Sequence, residues 1–258
     1  MTRRIHRNII FSCLLILVGN FFLVAQEKQT VPKRSGVLTP ITYKAQFPVG
    51  LLAERYGFNS SIGIGFHYKN LDGWIFGVEG DYLFGDNIKD ENNGLLNSYV
   101  FHQDGRIYDV AGFPSDVFFF ERGWTFSARV GKILIPAKNN PNSGWFAQIG
   151  GGFLQHRIFA DTKEFDVPQL LGDYGSGIDR LTNGIMFVQY FGYLNLDRKK
   201  LQNLSIGLEI IEGFTKNRRS FNYDTMEAET ESRLDILVGL RFSWILPVYN
   251  NKEDYFYN

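Results

Sequence analysis

The chain of 258 residues carries 27 basic and 27 acidic side chains, so it has no net charge. It shows no basic stripe with interleaved aromatics, which speaks against a nucleic-acid partner. Its 27 glycines and 24 Phe, 13 Tyr and 4 Trp suit closely packed strands that meet an interface, more than a helical bundle.

Residues 1–25 read as a secretory signal peptide. Arg3, Arg4 and Arg7 form the basic region, Ile9 to Val24 the apolar region, and Ala25 the cleavage residue. A retained anchor is the rival reading, since the apolar run approaches spanning length. Asn20 interrupts that run and a small residue ends it, which favours cleavage. Too few apolar residues precede Cys13 for lipoprotein processing. Cleavage removes the single cysteine and three of the 27 basic residues, leaving 24 against 27 acidic ones. The exported chain then has no disulfide, thiolate ligand or cysteine nucleophile. Residues 26–40 follow as a short periplasmic stub.

Beyond the leader the recurring signal is period-two alternation, the mark of a strand with two unlike faces. ITYKAQFPVG (41–50) is the first and weakest segment. SIGIGFHYK (61–69) sets Ile62, Ile64, Phe66 and Tyr68 against Gly63, Gly65, His67 and Lys69. WIFGVEGDYLFG (74–85) sets Trp74, Phe76, Val78 and Tyr82 against Gly77, Glu79 and Asp81. RGWTFSARVG (122–131) sets Trp124, Phe126 and Ala128 against Thr125, Ser127 and Arg129. Residues 144–159 and 181–196 alternate less cleanly, and LSIGLEI (204–210) sets Leu208 and Ile210 against Glu209. In LDILVGLRFSWILPVY (234–249), Leu240, Phe242 and Trp244 share one face while Asp235 and Arg241 share the other.

Eight such segments, joined alternately by shorter and longer connections, predict an all-β fold. Its form is a closed antiparallel transmembrane β-barrel over 41–249, with short periplasmic turns and long extracellular loops. The first connection is only moderately long. An even strand number places both chain ends, including the polar tail 250–258, on the periplasmic side. Trp74, Trp145 and Trp244 map to the periplasmic rim, and Phe118, Phe119, Phe120, Phe159 and Phe214 to the outer rim, as interfacial girdles. A soluble β-sandwich would alternate too, but leaves export and rim clustering without a reason.

The leader ending LVAQ, the run SIGIGFHYKNLDGWIFGVEGDYLFG, the Gly-rich WFAQIGGGFL and the aromatic last strand resemble the small outer-membrane β-barrel proteins of Bacteroidota. The resemblance spans 41–249 and is architectural. Its closing strand departs from the usual terminal signal, because NNKEDYFYN follows Tyr249. It implies residence in a bacterial outer membrane, among outer-membrane lipids and other outer-membrane or surface proteins.

An eight-stranded barrel is narrow and side chains fill it. The inward set holds Lys44, Lys69, Arg129 and Arg241 with Glu79, Asp81, Glu209 and Asp235, four charges of each sign that must pair. Gln46, Gln148, Gln189, His67 and His156 add hydrogen-bonding capacity. Arg241 or Asp235 is placed to meet Lys44 or Gln46 where the last strand closes on the first. This inventory describes a plug better than a small-solute channel.

A lipid- or peptide-cleaving barrel enzyme needs an accessible base. His67 and His156 are far apart, and His102 beside Asp104 in the loop 86–117 is the one exposed candidate, more simply a solvated polar pair. No zinc spacing or calcium loop occurs, and KDEN (89–92) alone does not make one, so no metal or cofactor is expected. In the loop 163–180, Leu170, Leu171 and Tyr174 either pack within a folded cap or contact a partner. The stub and tail are too short for a wall-binding domain. The expected role is non-catalytic: a structural or accessory subunit of a larger envelope assembly, for secretion or barrel insertion.

Overall fold

A computed structural model describes residues 31–89, 107–115, 117–162, 167–170, 172–197, 202–223 and 226–249. The leader, the tail, His102 and most of the loop 86–117 therefore lie outside the described residues. Eight long strands form the fold: β1 (Gly36–Val49), β2 (Asn59–Lys69), β3 (Trp74–Gly85), β4 (Val117–Ala137), β5 (Asn140–Thr162), β6 (Thr182–Asn195), β7 (Leu204–Asn217) and β8 (Ser232–Tyr249). Each pairs antiparallel with its sequence neighbours, and β1 pairs β8 to close the barrel. Closure leaves no open edge in the ring, the condition for crossing a bilayer with strands.

Side-chain alternation positions everything else. Ile62, Ile64, Phe66, Leu208 and Leu240 are exposed on the outside, whereas Asp235, Arg241, Glu79, Glu209 and Lys44 are buried within. Such an apolar outer belt is the lipid face of an integral outer-membrane barrel. Trp74, Trp145 and Tyr193 stand outward near its periplasmic edge, and Tyr82, Trp124, Phe159 and Phe214 near the other. Trp244 is outward and half-buried.

Asparagines build the short turns. Asn70 Oδ1 accepts the N–H groups of Asp72 and Trp74, both at 2.9 Å, and Gly73 takes the positive φ of 81° that closes the β2–β3 turn. Asn203 Oδ1 accepts from Asp197 N–H at 2.7 Å in the β6–β7 turn.

Several expectations are corrected. β1 begins at Gly36, inside the expected stub, because Gly36 to Pro40 continue the ladder with β8 and Leu38 is buried. β4 and β5 run on through most of the connection expected between the segments 122–131 and 144–159, with only Lys138 and Asn139 between them. Phe119 is not an interfacial aromatic: it has the inward parity of Glu121, Thr125 and Ser127 and is buried beneath the cap. Gln189 faces outward, and the lumen position beside it belongs to Tyr190.

Candidate functional site

The lumen is built in layers. At mid-height, Lys44 on β1, Glu79 and Asp81 on β3, Arg129 on β4, Glu209 on β7 and Arg241 on β8 all point inward and are buried. Glu209 is the hub: its carboxylate lies 2.6 Å from Lys44 Nζ, 2.5 Å from Arg129 Nη1 and 2.9 Å from Arg241 Nη1. Glu79 takes the other arms, Arg241 Nη2 and, at 3.0 Å in an ion-pair contact, Arg129 Nη2. Asp81 accepts from Lys44 Nζ at 2.9 Å and from Thr125 Oγ1 at 3.0 Å. The layer thus pairs Lys44, Arg129 and Arg241 with Glu79, Asp81 and Glu209, with His67 Nε2 3.1 Å from Glu79. Ser127 and Ser243 accept the remaining guanidinium Nε–H groups, and Tyr190 offers its ring to Arg241 at 4.9 Å.

The expected seam contact takes another form. Lys44 and Arg241 are directly opposite in the β1–β8 register, and shared Glu209 satisfies both. Asp235 lies higher and belongs to a separate cluster, accepting from Thr215 Oγ1 at 2.5 Å and meeting His156 Nε2 at 2.9 Å. Lys69 lies at the periplasmic end, where its ammonium donates to Arg34 O at 2.8 Å and Asn142 Oδ1 at 3.0 Å. The nine expected lumen residues are all interior, but the structure divides them among three levels.

Sequence reasoning missed what lies between those levels. Below the charges, Leu38, Ile75, Ile133, Phe146, Tyr190, Leu194, Leu196 and Ile245 form one apolar layer. Above them, Leu83, Leu154, Met186, Val188, Ile211 and Leu237 form another, continuous with Leu52, Tyr56, Ile88, Phe119, Ile158 and Ile178 of the outer end. Period-two parity puts Leu237 and Ile245 on the inward face of Asp235 and Arg241, and the same parity places Ile75, Leu83 and Ile211 inside. A void of about 20 Å³ beside Gln148 and Arg241 is of the size of a single water. Glu121, which precedes the alternating segment 122–131 but lies within β4, is buried and accepts from Asn59 Nδ2 at 2.9 Å.

The outer end is a folded cap. Helix α1 (Leu52–Arg55) sets Leu52 and Tyr56 into the upper layer, and Arg55 Nη2 donates to both carboxylate oxygens of Glu229, at 2.9 and 2.8 Å. Glu229 also receives Arg233 Nη1 at 2.8 Å and Asn217 Nδ2 at 3.1 Å. Burial would raise its carboxyl, but these hydrogen bonds and the Arg55 charge hold it down at about 2. Arg219 grips Asp179 through Nε at 2.7 Å and through Nη2, and that hydrogen bonding raises the guanidinium above its ordinary value. Of the expected partner-contact residues, Leu170 is partly buried against the upper layer, Tyr174 lies on helix α2 (Gly172–Ser176), and Leu171 lies outside the described residues. Among the described residues, no group of three or more His, Cys, Asp or Glu is placed to hold a metal ion.

No protein-family model matches the chain, and no curated protein matches it. Among solved structures it is similar to Neisserial surface protein A, with a TM-score of 0.44 and 10% identity over 83% of this chain and 99% of that one. It is also similar to Ail, the attachment invasion locus protein of Yersinia pestis, with a TM-score of 0.36 and 7% identity over 84% of this chain and 100% of that one. At this distance neither protein's role transfers to the chain.

Proposed function

We propose that this outer-membrane barrel is a non-catalytic structural or accessory subunit that presents its folded outer cap and lipid-facing wall to protein partners in a larger envelope assembly. The observation that carries this reading is the filled interior, in which a neutralised charge layer lies between two apolar layers. Passage of a solute would require separating buried ion pairs and opening both apolar layers, which argues against a channel. The buried histidines serve the packing: His156 is held between Asp235 and Tyr56 and His67 against Glu79, leaving neither exposed to a substrate. The resemblance of its strands to Bacteroidota barrels supports a partner in secretion or barrel insertion. Mild-detergent purification of the native protein tests the reading: a stoichiometric set of co-purifying envelope proteins is expected, and a clean monomer would overturn the subunit role.

A further inference from the structure

The outer face of β4 and β5 carries an arrangement that the sealed interior does not explain. Arg122 and Arg157 are directly opposite in register, both outward, two residues above the pair Trp124–Gln155 in the outer girdle. Like charges opposed on one sheet face repel, and here the wall beneath them is apolar. Arg122 lies 4.7 Å over the Phe120 ring, with Nη1 donating to Glu121 O at 2.9 Å and Gly85 O at 3.4 Å. Arg157 lies 5.9 Å over Phe159 and only reaches Asp179 at 3.9 Å, a carboxylate already gripped by Arg219.

Between the arginines a groove of about 590 Å³ opens, lined also by Tyr82, Trp124, Gln155 and Phe159. Below it Trp124 packs on Phe153 at 5.3 Å and Phe126 is exposed, continuing an apolar surface into the membrane belt. Around the rim, Arg218 donates to Asn183 Oδ1 at 2.6 Å, and Asn183 Nδ2 to Gln155 at 3.5 Å, extending the basic row. Apart from Asp179, which Arg219 holds, the nearby carboxylates stand off this row: Asp161 is opposite Phe118 above it, and Glu212 is opposite Phe187 below it.

We propose that this groove binds the phosphate of a phosphorylated outer-leaflet glycolipid, seated between Arg122 and Arg157, with an acyl chain along Trp124, Phe126 and Phe153. Two planar guanidinium forks suit a phosphate, whose charge removes their repulsion. Aromatic rings at headgroup depth suit the junction of sugar and chain.

Native mass spectrometry of the detergent-purified full chain tests this, with lipid A, dephosphorylated lipid A and inorganic phosphate as separate probes. One lipid A molecule is expected to remain bound. Affinity should fall about tenfold or more for the dephosphorylated lipid and for Arg122→Gln/Arg157→Gln, as expected for lost charged hydrogen bonds. Lys132→Gln, whose lysine lies over Trp74 at the opposite rim, should bind like the wild type. Equal binding of the two lipids, or wild-type binding by a double variant that keeps its heat-modifiable migration, would overturn the proposal. Inorganic phosphate binding as tightly as lipid A would overturn the lipid assignment. Should the double variant not fold, the two lipids on the wild type still decide.

Discussion

Arg241 shows how a charge can sit within a closing strand of otherwise apolar character. Its guanidinium is divided between Glu79 and Glu209, with Ser243 and the Tyr190 ring completing its surroundings. A lone buried ion would be costly, and even a good pair gains little over apolar packing, so the layer is better understood as a register lock than as a source of stability. Glu209 is its most exposed point of failure, because Lys44, Arg129 and Arg241 all depend on it. Glu209→Gln should destabilise the barrel by ~3–5 kcal/mol, since it leaves three buried cations with only Glu79 and Asp81 to balance them. Urea titration of the vesicle-reconstituted barrel, followed by heat-modifiable migration, measures this, and a change under about 1 kcal/mol would show that the neighbours repair the gap. The same reasoning separates Lys69 from the layer: the carbonyls of Arg34 and Asn70 and the Asn142 side chain hold it at the periplasmic end, with no carboxylate among these partners.

At the scale of elements, close approach and capping decide what the strands can do. Gly152 on β5 has no room for a side chain, because a Cβ there would lie 1.9 Å from Phe126 O on β4. Gly152→Ala should therefore push β4 from β5 and cost ~1–3 kcal/mol, measurable in the same urea titration. The cap is tied to the barrel by Arg55 and Arg233 through Glu229. Because the Glu229 carboxyl is held at about 2, below its unfolded value, its contribution is complete above roughly pH 4.5 and lost as pH falls toward 2. Pepsin digestion at pH 4 and pH 2 should show cleavage around residues 218–233 rising at the lower pH beyond the enzyme's own change on an unfolded control. Glu229→Gln should open the same segment already at pH 4. Equal protection at both pH values would mean that Leu52 and Tyr56, packed in the upper layer, hold the cap without this tie.

For the whole molecule, sealing is redundant, because the charge layer and two apolar layers each block the lumen. Planar-bilayer recordings of the wild type should show no conductance steps. Phe146→Ala, which thins only the lower layer, should stay closed while costing ~3–5 kcal/mol of stability. Steady wild-type conductance would overturn the plug. Alternation in the sequence determined the strand number, the two faces and nearly every inward charge, because parity is local and each strand carries its own record of which side meets lipid. Phe119 and Glu121 are not legible in this way, because clean alternation starts at Arg122 whereas the ladder with β5 starts the strand at Val117. Only the tertiary structure decided which carboxylate each cation meets, that apolar layers flank the charges, and that Arg122 faces Arg157 across a groove. Those facts depend on the register between strands distant in sequence and on the height of each residue in the closed ring. No single strand encodes either one, because both are set when the hydrogen-bonded ladders close on one another.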